Sequence, residues 1–442
     1  MRCIPWISWL LLAGVAYACT YVPGTQTCPP APVLADLGSP APRISVSTVN
    51  IDISQSYVRE KVRALVGTPH SAPNGVDAGM VQLSQPLVNG QPVNRVSIVI
   101  EPWLKGAADT AVSLQRSYEL RLRLVPYLIT PQTMPDAAQR TALLCPAGGT
   151  CTATSGVLIR FEFEELISRI HQAPVVCGSP QYDLIDGQVL KGLFESLGNS
   201  KPLVLPSEPV EKIVSSLAGT PVALTGVVLG SDLDLKVGLL FDTGTPRPFD
   251  ANTWLSMYPN TDWGISVDTS LVAAAVRRSA IASATATDPR VQVNNVRITF
   301  ERDGFGIQAA GQLNVCGGIP FTVTTSAQPQ ICLDAAGRAD LRVCAAKTET
   351  TPKVSFLQGI CYLGAQFIES FSGGMATAVI RDGVSPCPSM SIVTFGAGPG
   401  DTFYGTATDT DGVFYLVGRS TFMDEFLTRA GAPRTPAPAR CP

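Results

Sequence analysis

Midway along the chain, Leu239-Leu240-Phe241-Asp242-Thr243-Gly244-Thr245 sets a carboxylate on a tight turn behind an apolar run. Such a carboxylate can activate water when a second one shares its proton, so the chemistry needs two such turns. The nearest second candidate, Thr408-Asp409-Thr410-Asp411-Gly412, lacks the apolar lead-in. The other reading is a strand that ends in a turn, where Asp and Gly are the expected residues. His70 falls in a Pro/Gly-rich loop and His171 at a strand end, neither beside an evident nucleophile. Asp232 with Asp234, and Asp409 with Asp411, are spaced to touch a cation, but outward positions on strands or loops explain them as well. No GxSxG, HExxH or phosphate-binding loop occurs.

The twelve cysteines carry different chemistry. None forms a CxxC pair and there are two histidines, so a zinc cluster is not expected. Disulfides in an oxidising compartment are the natural reading. Cys145 and Cys151 bracket Pro-Ala-Gly-Gly-Thr, whose glycines let a small loop close. Cys316 and Cys332 are a second candidate pair, across a hairpin expected from Gly317-Gly318 to Gln330. The rest of the connectivity is open.

The N-terminus agrees with that compartment. Arg2, a mostly apolar run at 4–15, and the small-x-small Ala16-Tyr17-Ala18 form an export signal too short to span a bilayer. Ala16-Tyr17-Ala18-Cys19 resembles a bacterial lipoprotein lipobox, with Ala where Leu is usual. The resemblance implies acylation of Cys19, although ordinary cleavage before it also fits. Removing Cys3 with the signal and acylating Cys19 would leave ten cysteines, an even set. Similarly, the stretch at Asp242 resembles the active-site turn of aspartic proteases. That implies Asp242 as a catalytic residue, with a homodimer if one turn is to suffice.

Composition sets the wider limits. The 442 residues fit two domains and a sizeable core. With 35 acidic and 32 basic residues the net charge is −3, which gives no electrostatic case for nucleic acid. Charged residues are 15% and mean hydropathy is +0.21. That apolar excess must lie in cores or in an internal apolar cavity.

Periodicity then supplies the elements that position these residues. Residues 19–42 are a Pro-rich tether. Alternation at 43–53 predicts a strand, and Ser54 caps a helix to about Val66 with Tyr57, Val58, Val62 and Leu65 on one face. Residues 67–79 read as a loop. Strands are expected at 81–87, 93–101, 117–129 and 157–163, with 166–171 as a continuation of the last; helices at 184–197 and 209–217; then strand from 222 to 241. Glu119, Arg121 and Arg123 read as a solvated sheet face. After a connection at 242–262, Asp268 caps a second helix bearing Leu271, Val272, Ala275 and Val276. Strands at 291–300 and 305–315 turn through Asp303-Gly304. Further strands are expected at 321–325, 331–333, 339–344, 377–380, 391–395, 402–407 and 413–417. Helices are expected at 354–371 and 422–429, before a Pro-rich tail at 431–442.

Two echoes divide the chain. Residues 51–63 match 265–277 at five identities, including Ile51/Ile265 and Arg63/Arg277; residues 93–101 match 293–301 at five more. Self-similarity at long period points to a duplicated unit, 43–250 and 263–430. Antiparallel strands with helices on one face make an α+β fold. This order, carried by 265–279 and 291–315 and more weakly by 51–65 and 93–101, resembles the tubular lipid-binding superfamily of bactericidal/permeability-increasing protein. Residues 67–79 and the Cys145 segment have no counterpart there. The resemblance implies two repeated units, each a long twisted antiparallel sheet wrapped on amphipathic helices around an apolar tube. The expected function is an exported, lipid-anchored envelope protein, periplasmic or on the bacterial outer membrane and alternatively secreted, that binds a lipid or other apolar small molecule. No cofactor, metal or catalytic set is expected. The alternatives are a structural or interaction module of the envelope, and an aspartic protease using Asp242.

Overall fold

The computed structural model describes residues 37–419 except 73, 106–110, 145–153, 176–191, 194–196, 198–201, 232, 244–245, 251–262, 288, 302–303, 315–317, 334–338, 353–390, 396–401 and 409–412. The signal, Cys19, Cys145, Cys151, Cys316, Asp232, Asp409, Asp411, most of the 184–197 helix, and the 354–371 and 422–429 helices fall outside the described residues.

The chain opens with β1 (Val46–Ser47), β2 (Val49–Ile53) and α1 (Gln55–Val66). Next come β3 (Asn74–Ser84), the short β4 (Leu87–Val88) and β5 (Gln91–Pro92), β6 (Arg95–Lys105), β7 (Ala111–Ser113) and β8 (Tyr118–Ile129). Helix α2 (Ala137–Leu144), β9 (Gly156–Ser168), β10 (Ala173–Pro174), β11 (Leu203–Pro206) and α3 (Glu208–Ala218) follow. Then come β12 (Leu224–Ser231), β13 (Leu235–Phe241), β14 (Arg247–Pro248), β15 (Trp263–Asp268) and α4 (Thr269–Thr287). The last strands are β16 (Val291–Glu301), β17 (Gly304–Leu313), β18 (Ile319–Leu333), β19 (Ala339–Pro352), β20 (Ser391–Phe395), β21 (Thr402–Thr408) and β22 (Val413–Arg419).

Every strand pairing among the described residues is antiparallel, so the fold is α+β. Three sheets dominate. One runs β10-β9-β8-β6-β3, with β11 beside β9 and β7 beside β6; a second runs β16-β17-β18-β19-β20. A third, six-stranded sheet draws strands from both ends and the middle of the chain and is ordered β12-β13-β2-β15-β22-β21. Its middle pair is β2 and β15, with Ile51 opposite Ile265.

Alternation explains which faces are buried. Val81, Ile98, Leu120 and Leu166 form one row across four strands, and Leu83, Val96, Leu122 and Phe163 the next. Helix α1 turns Tyr57, Val58, Val62 and Val66 into the core. These residues join α3, α4 and the inner faces of all three large sheets in one apolar cluster. A smaller cluster lies where α2 and Leu37 cover Val125, Tyr127 and Ile129.

Several expectations change. Residues 74–79, read as loop, belong to β3, and at Val76 its backbone is satisfied by Thr68, whose Oγ1 accepts from the Val76 N–H and whose N–H donates to Val76 O. Residues 321–325 and 331–333 are parts of one strand, β18, which Pro329 does not break. Among the described residues, Pro329 lies past Ala327, the last β18 residue paired with β17, and is paired through Val343 of β19. The hairpin expected from Gly317-Gly318 to Gln330, from which the Cys316–Cys332 pairing was read, is therefore replaced by a strand, and Cys332 sits near its far end. The echo of 93–101 in 293–301 falls on β6 and β16. Strand β6 is the second long strand after its helix and β16 the first, so that echo joins unlike places.

Candidate functional site

The apolar space between helix and sheet is the candidate site, and local chemistry fixes the helix there. Ser54 accepts from the Tyr57 N–H at 3.3 Å, as its N-cap role requires. Asp234, from the β12–β13 turn, adds a carboxylate that accepts from the Gln55 N–H at 2.7 Å. An anion at a helix N-terminus is favoured by the exposed N–H groups there. Arg59 donates to Val81 O at 2.9 Å, and Arg63 donates to Gly79 O at 3.0 and 3.1 Å. The same helix thus closes the outer edge of β3.

The second helix is held in a similar way. Asp268 accepts from the Ser270 N–H at 2.6 Å and pairs through its other oxygen with Arg247. Arg277 donates to Val296 O on β16 at 3.0 Å. Arg278 reaches α3 and donates to Ser216 O and Leu217 O, at 3.0 and 2.6 Å. Those are carbonyls of the last turn, where the intrahelical ladder runs out.

Opposite α1, the rows through Val81 and Leu83 carry no ionisable side chain. Opposite α4, Val296, Ala309 and Val323 form the corresponding row, next to Ile298, Ile307 and Thr325. The six-stranded sheet contributes Val237-Ile51-Ile265 and Leu235-Ile53-Trp263. Its other face is polar yet buried: Asp52, at 0% exposure, lies between Lys236 and Gly264. Alternation alone leaves Asp52 on a solvent face. Gly238 is needed on this face because a Cβ would stand 2.6 Å from Val228 Cγ1 and 2.7 Å from the Phe249 ring.

The outer face of the β3–β9 sheet is an ion-pair ladder rather than a set of independent solvated charges. Arg95 forks onto Glu164 with both bonds at 2.8 Å, each side chain 14% exposed. Hydrogen bonding from Arg95 holds the Glu164 carboxyl below the usual carboxylate range, against the opposing push of burial. Arg121 pairs with Glu119 and Glu165. Burial pulls its guanidinium down, but those two partners outweigh it and the net shift is upward. Burial pushes the Tyr127 hydroxyl up, aided by Glu162, to which it donates at 3.1 Å. Glu164 faces outward because β9 bulges there: Arg121 opposes Glu165, and Leu122 opposes Phe163. The doubled Glu164-Glu165 within an alternating run was the sequence signal for that bulge.

The remaining candidates are placed individually. Asp242 is exposed at the end of β13; its carboxylate accepts from the Ala223 N–H at 2.8 Å, and its own N–H donates to Ala223 O at 3.1 Å. It thus extends the β12–β13 ladder by one residue. Asp234 is buried on α1, not outward. His70 is exposed, 2.8 Å from Asp77 and edge-on to the Trp103 ring at 4.9 Å. The His171 N–H donates to Ser168 Oγ at 3.4 Å. Among the described residues, no three His, Cys, Asp or Glu side chains are grouped to hold a metal ion, and no helix is long and apolar enough to cross a membrane.

No protein-family model and no curated protein matches the chain. Solved structures do. P47 from Clostridium botulinum A2 is similar at 11% identity and TM-score 0.47, covering 85% of this chain and 97% of its own. P47 of Clostridium botulinum E1 is similar at 11% identity and TM-score 0.43, over 85% and 100%. A lipopolysaccharide binding protein is similar at 10% identity and TM-score 0.29, over 85% and 99%.

Proposed function

We propose that this chain is a non-catalytic binding protein that holds a lipid or other apolar small molecule between sheet and helix. We further propose that it is exported to the bacterial envelope and anchored there by an acyl group on Cys19. One observation carries the binding reading: long sheet rows without ionisable groups face α1 and α4, and form one apolar cluster with them. A ligand made of hydrocarbon gains from such a surface roughly in proportion to the area it removes from water. The export reading rests on the N-terminal signal and on the cysteine count.

The two halves are read as a duplication. The six-stranded sheet supports this, since its order β12-β13-β2-β15-β22-β21 pairs corresponding strands about the Ile51–Ile265 contact. Arg63 and Arg277, identical in the 51–63 echo, each donate from a helix to a carbonyl of the next long strand.

Native mass spectrometry of the mature protein, before and after organic extraction, tests the reading. A co-purifying lipid supports it, and the mass reports acylation of Cys19. A bare polypeptide mass favours a packed envelope module instead. The near-zero exposure of Val81, Val96, Ile98, Leu120 and Leu122 is the observation in favour of that second reading. The carboxylate of Asp242 is engaged by a backbone N–H, which supports a structural role. Asp242→Asn should leave any measured proteolysis unchanged, and its loss would restore the protease reading.

A further inference from the structure

Two aliphatic side chains stand in water on firmly held turns. Leu87 is 72% exposed and Leu233 is 66% exposed. Leu87 begins the β4–β5 hairpin, which turns through Asn89-Gly90 with φ of 52° and 75°. Positive φ at both central residues gives the turn whose twist matches paired strands. The hairpin base closes through the Val93 N–H to Pro86 O at 2.9 Å.

Leu233 lies in the β12–β13 turn, and a polar joint ties that turn to the hairpin. Ser231 Oγ donates to Ser84 O at 2.7 Å. Asn94 Nδ2 donates to Leu229 O at 3.2 Å, and Gln85 Nε2 to Asn94 Oδ1 at 2.9 Å. On its other side the turn is fixed by Asp234 at the start of α1. Leu87 follows Ser84 by three residues and Leu233 follows Ser231 by two, so both leucines lie within a few residues of one hydrogen-bonded joint. Ordering them against a partner therefore costs little backbone entropy.

We propose that these turns form a bilayer-contact tip that seats Leu87 and Leu233 in the surface of an uncharged or zwitterionic membrane. Area argues against a protein partner. Two leucines present about 200 Å² of apolar surface, whereas a stable protein interface buries about 800 Å² on each side. Convex aliphatic turns can instead enter the headgroup layer, where no complementary surface is required. With a net charge of −3, the chain has no excess of basic residues to favour anionic headgroups. The contact is separate from an acyl group on Cys19, and it stands whether or not the interior holds a ligand.

The test uses the full mature chain with Cys19→Ser in every variant, so that no acyl group contributes. Phosphatidylcholine vesicles are the probe. Leu87→Ser/Leu233→Ser should lower the vesicle partition coefficient about tenfold or more. Leu87→Trp should gain fluorescence quenching by brominated phosphatidylcholine beyond that of the other tryptophans. Both leucines are exposed, so unchanged circular dichroism is expected in each variant. Equal partition of the double variant, or no added quenching, overturns the proposal. So does concentration-dependent dimerisation that the double variant abolishes, which would make the tip a contact between chains.

Discussion

Glu164→Gln removes one charge from the Arg95–Glu164 fork while keeping the size of the side chain. The fork has two charge-assisted bonds at 2.8 Å, with both side chains 14% exposed. Exposed pairs contribute about 0–1 kcal/mol, and breaking a fully buried one costs about 3–5 kcal/mol. Gln keeps one acceptor for Arg95, so a loss of about 2 kcal/mol at pH 7 is expected. The pH dependence follows from the lowered pKa of Glu164, which hydrogen bonding from Arg95 produces. A carboxyl held below its unfolded value stabilises the fold above that unfolded value, and the contribution is lost as pH falls through the folded one. The assay is urea unfolding of wild type and variant at pH 7 and pH 3. The gap between them should be about 2 kcal/mol at pH 7 and should narrow as pH falls below the ordinary carboxylate range and wild-type Glu164 takes up its proton. A gap that does not change with pH would refute the reasoning, because shape rather than charge would then be responsible. Glu165→Gln is the control: Glu165 and Arg121 are 31% and 27% exposed, so less than about 1 kcal/mol is expected.

Three further outcomes follow from other parts of the fold. Asp234→Ala should cost about 1 kcal/mol, read by thermal melting, and amide exchange should quicken at Gln55 in the first turn of α1, where the carboxylate is lost. Ile98→Ala empties a fully buried position in the Val81-Ile98-Leu120 row and should cost about 2–5 kcal/mol in urea unfolding, unless a bound ligand or neighbouring side chains refill the space. Gly238→Val drives atoms into Val228 and Phe249 and should cost about 1–3 kcal/mol; a variant as stable as wild type would show that Phe249 yields freely.

Local signals were legible where they lie in a few consecutive residues. Ser54 and Asp268 cap helices as their positions next to apolar 3.6-period runs indicate, and the alternation at 117–129 gives β8 within one residue. The Asn89-Gly90 pair is an equally local signal for the β4–β5 hairpin. The separate strands expected at 321–325 and 331–333 are one strand, because backbone pairing to β19 continues through the residues between them. The echo at 93–101 misled because alternating strands resemble one another whatever place they hold in a sheet.

By itself, the sequence determined the α+β class, the capped helices and the apolar excess, and it matched Ile51 with Ile265 in a short echo. Only the tertiary structure decided that those two isoleucines face each other across adjoining strands. It also decided that Asp52 is buried on the second face of the central sheet, that Asp234 serves α1 from 179 residues away, and that Arg278 caps α3. The physical reason is that periodicity records which face of an element is apolar, but not what covers the other face. Long-range partners for a carboxylate or a guanidinium are set by strand register and helix docking, and those are settled by packing of the whole chain.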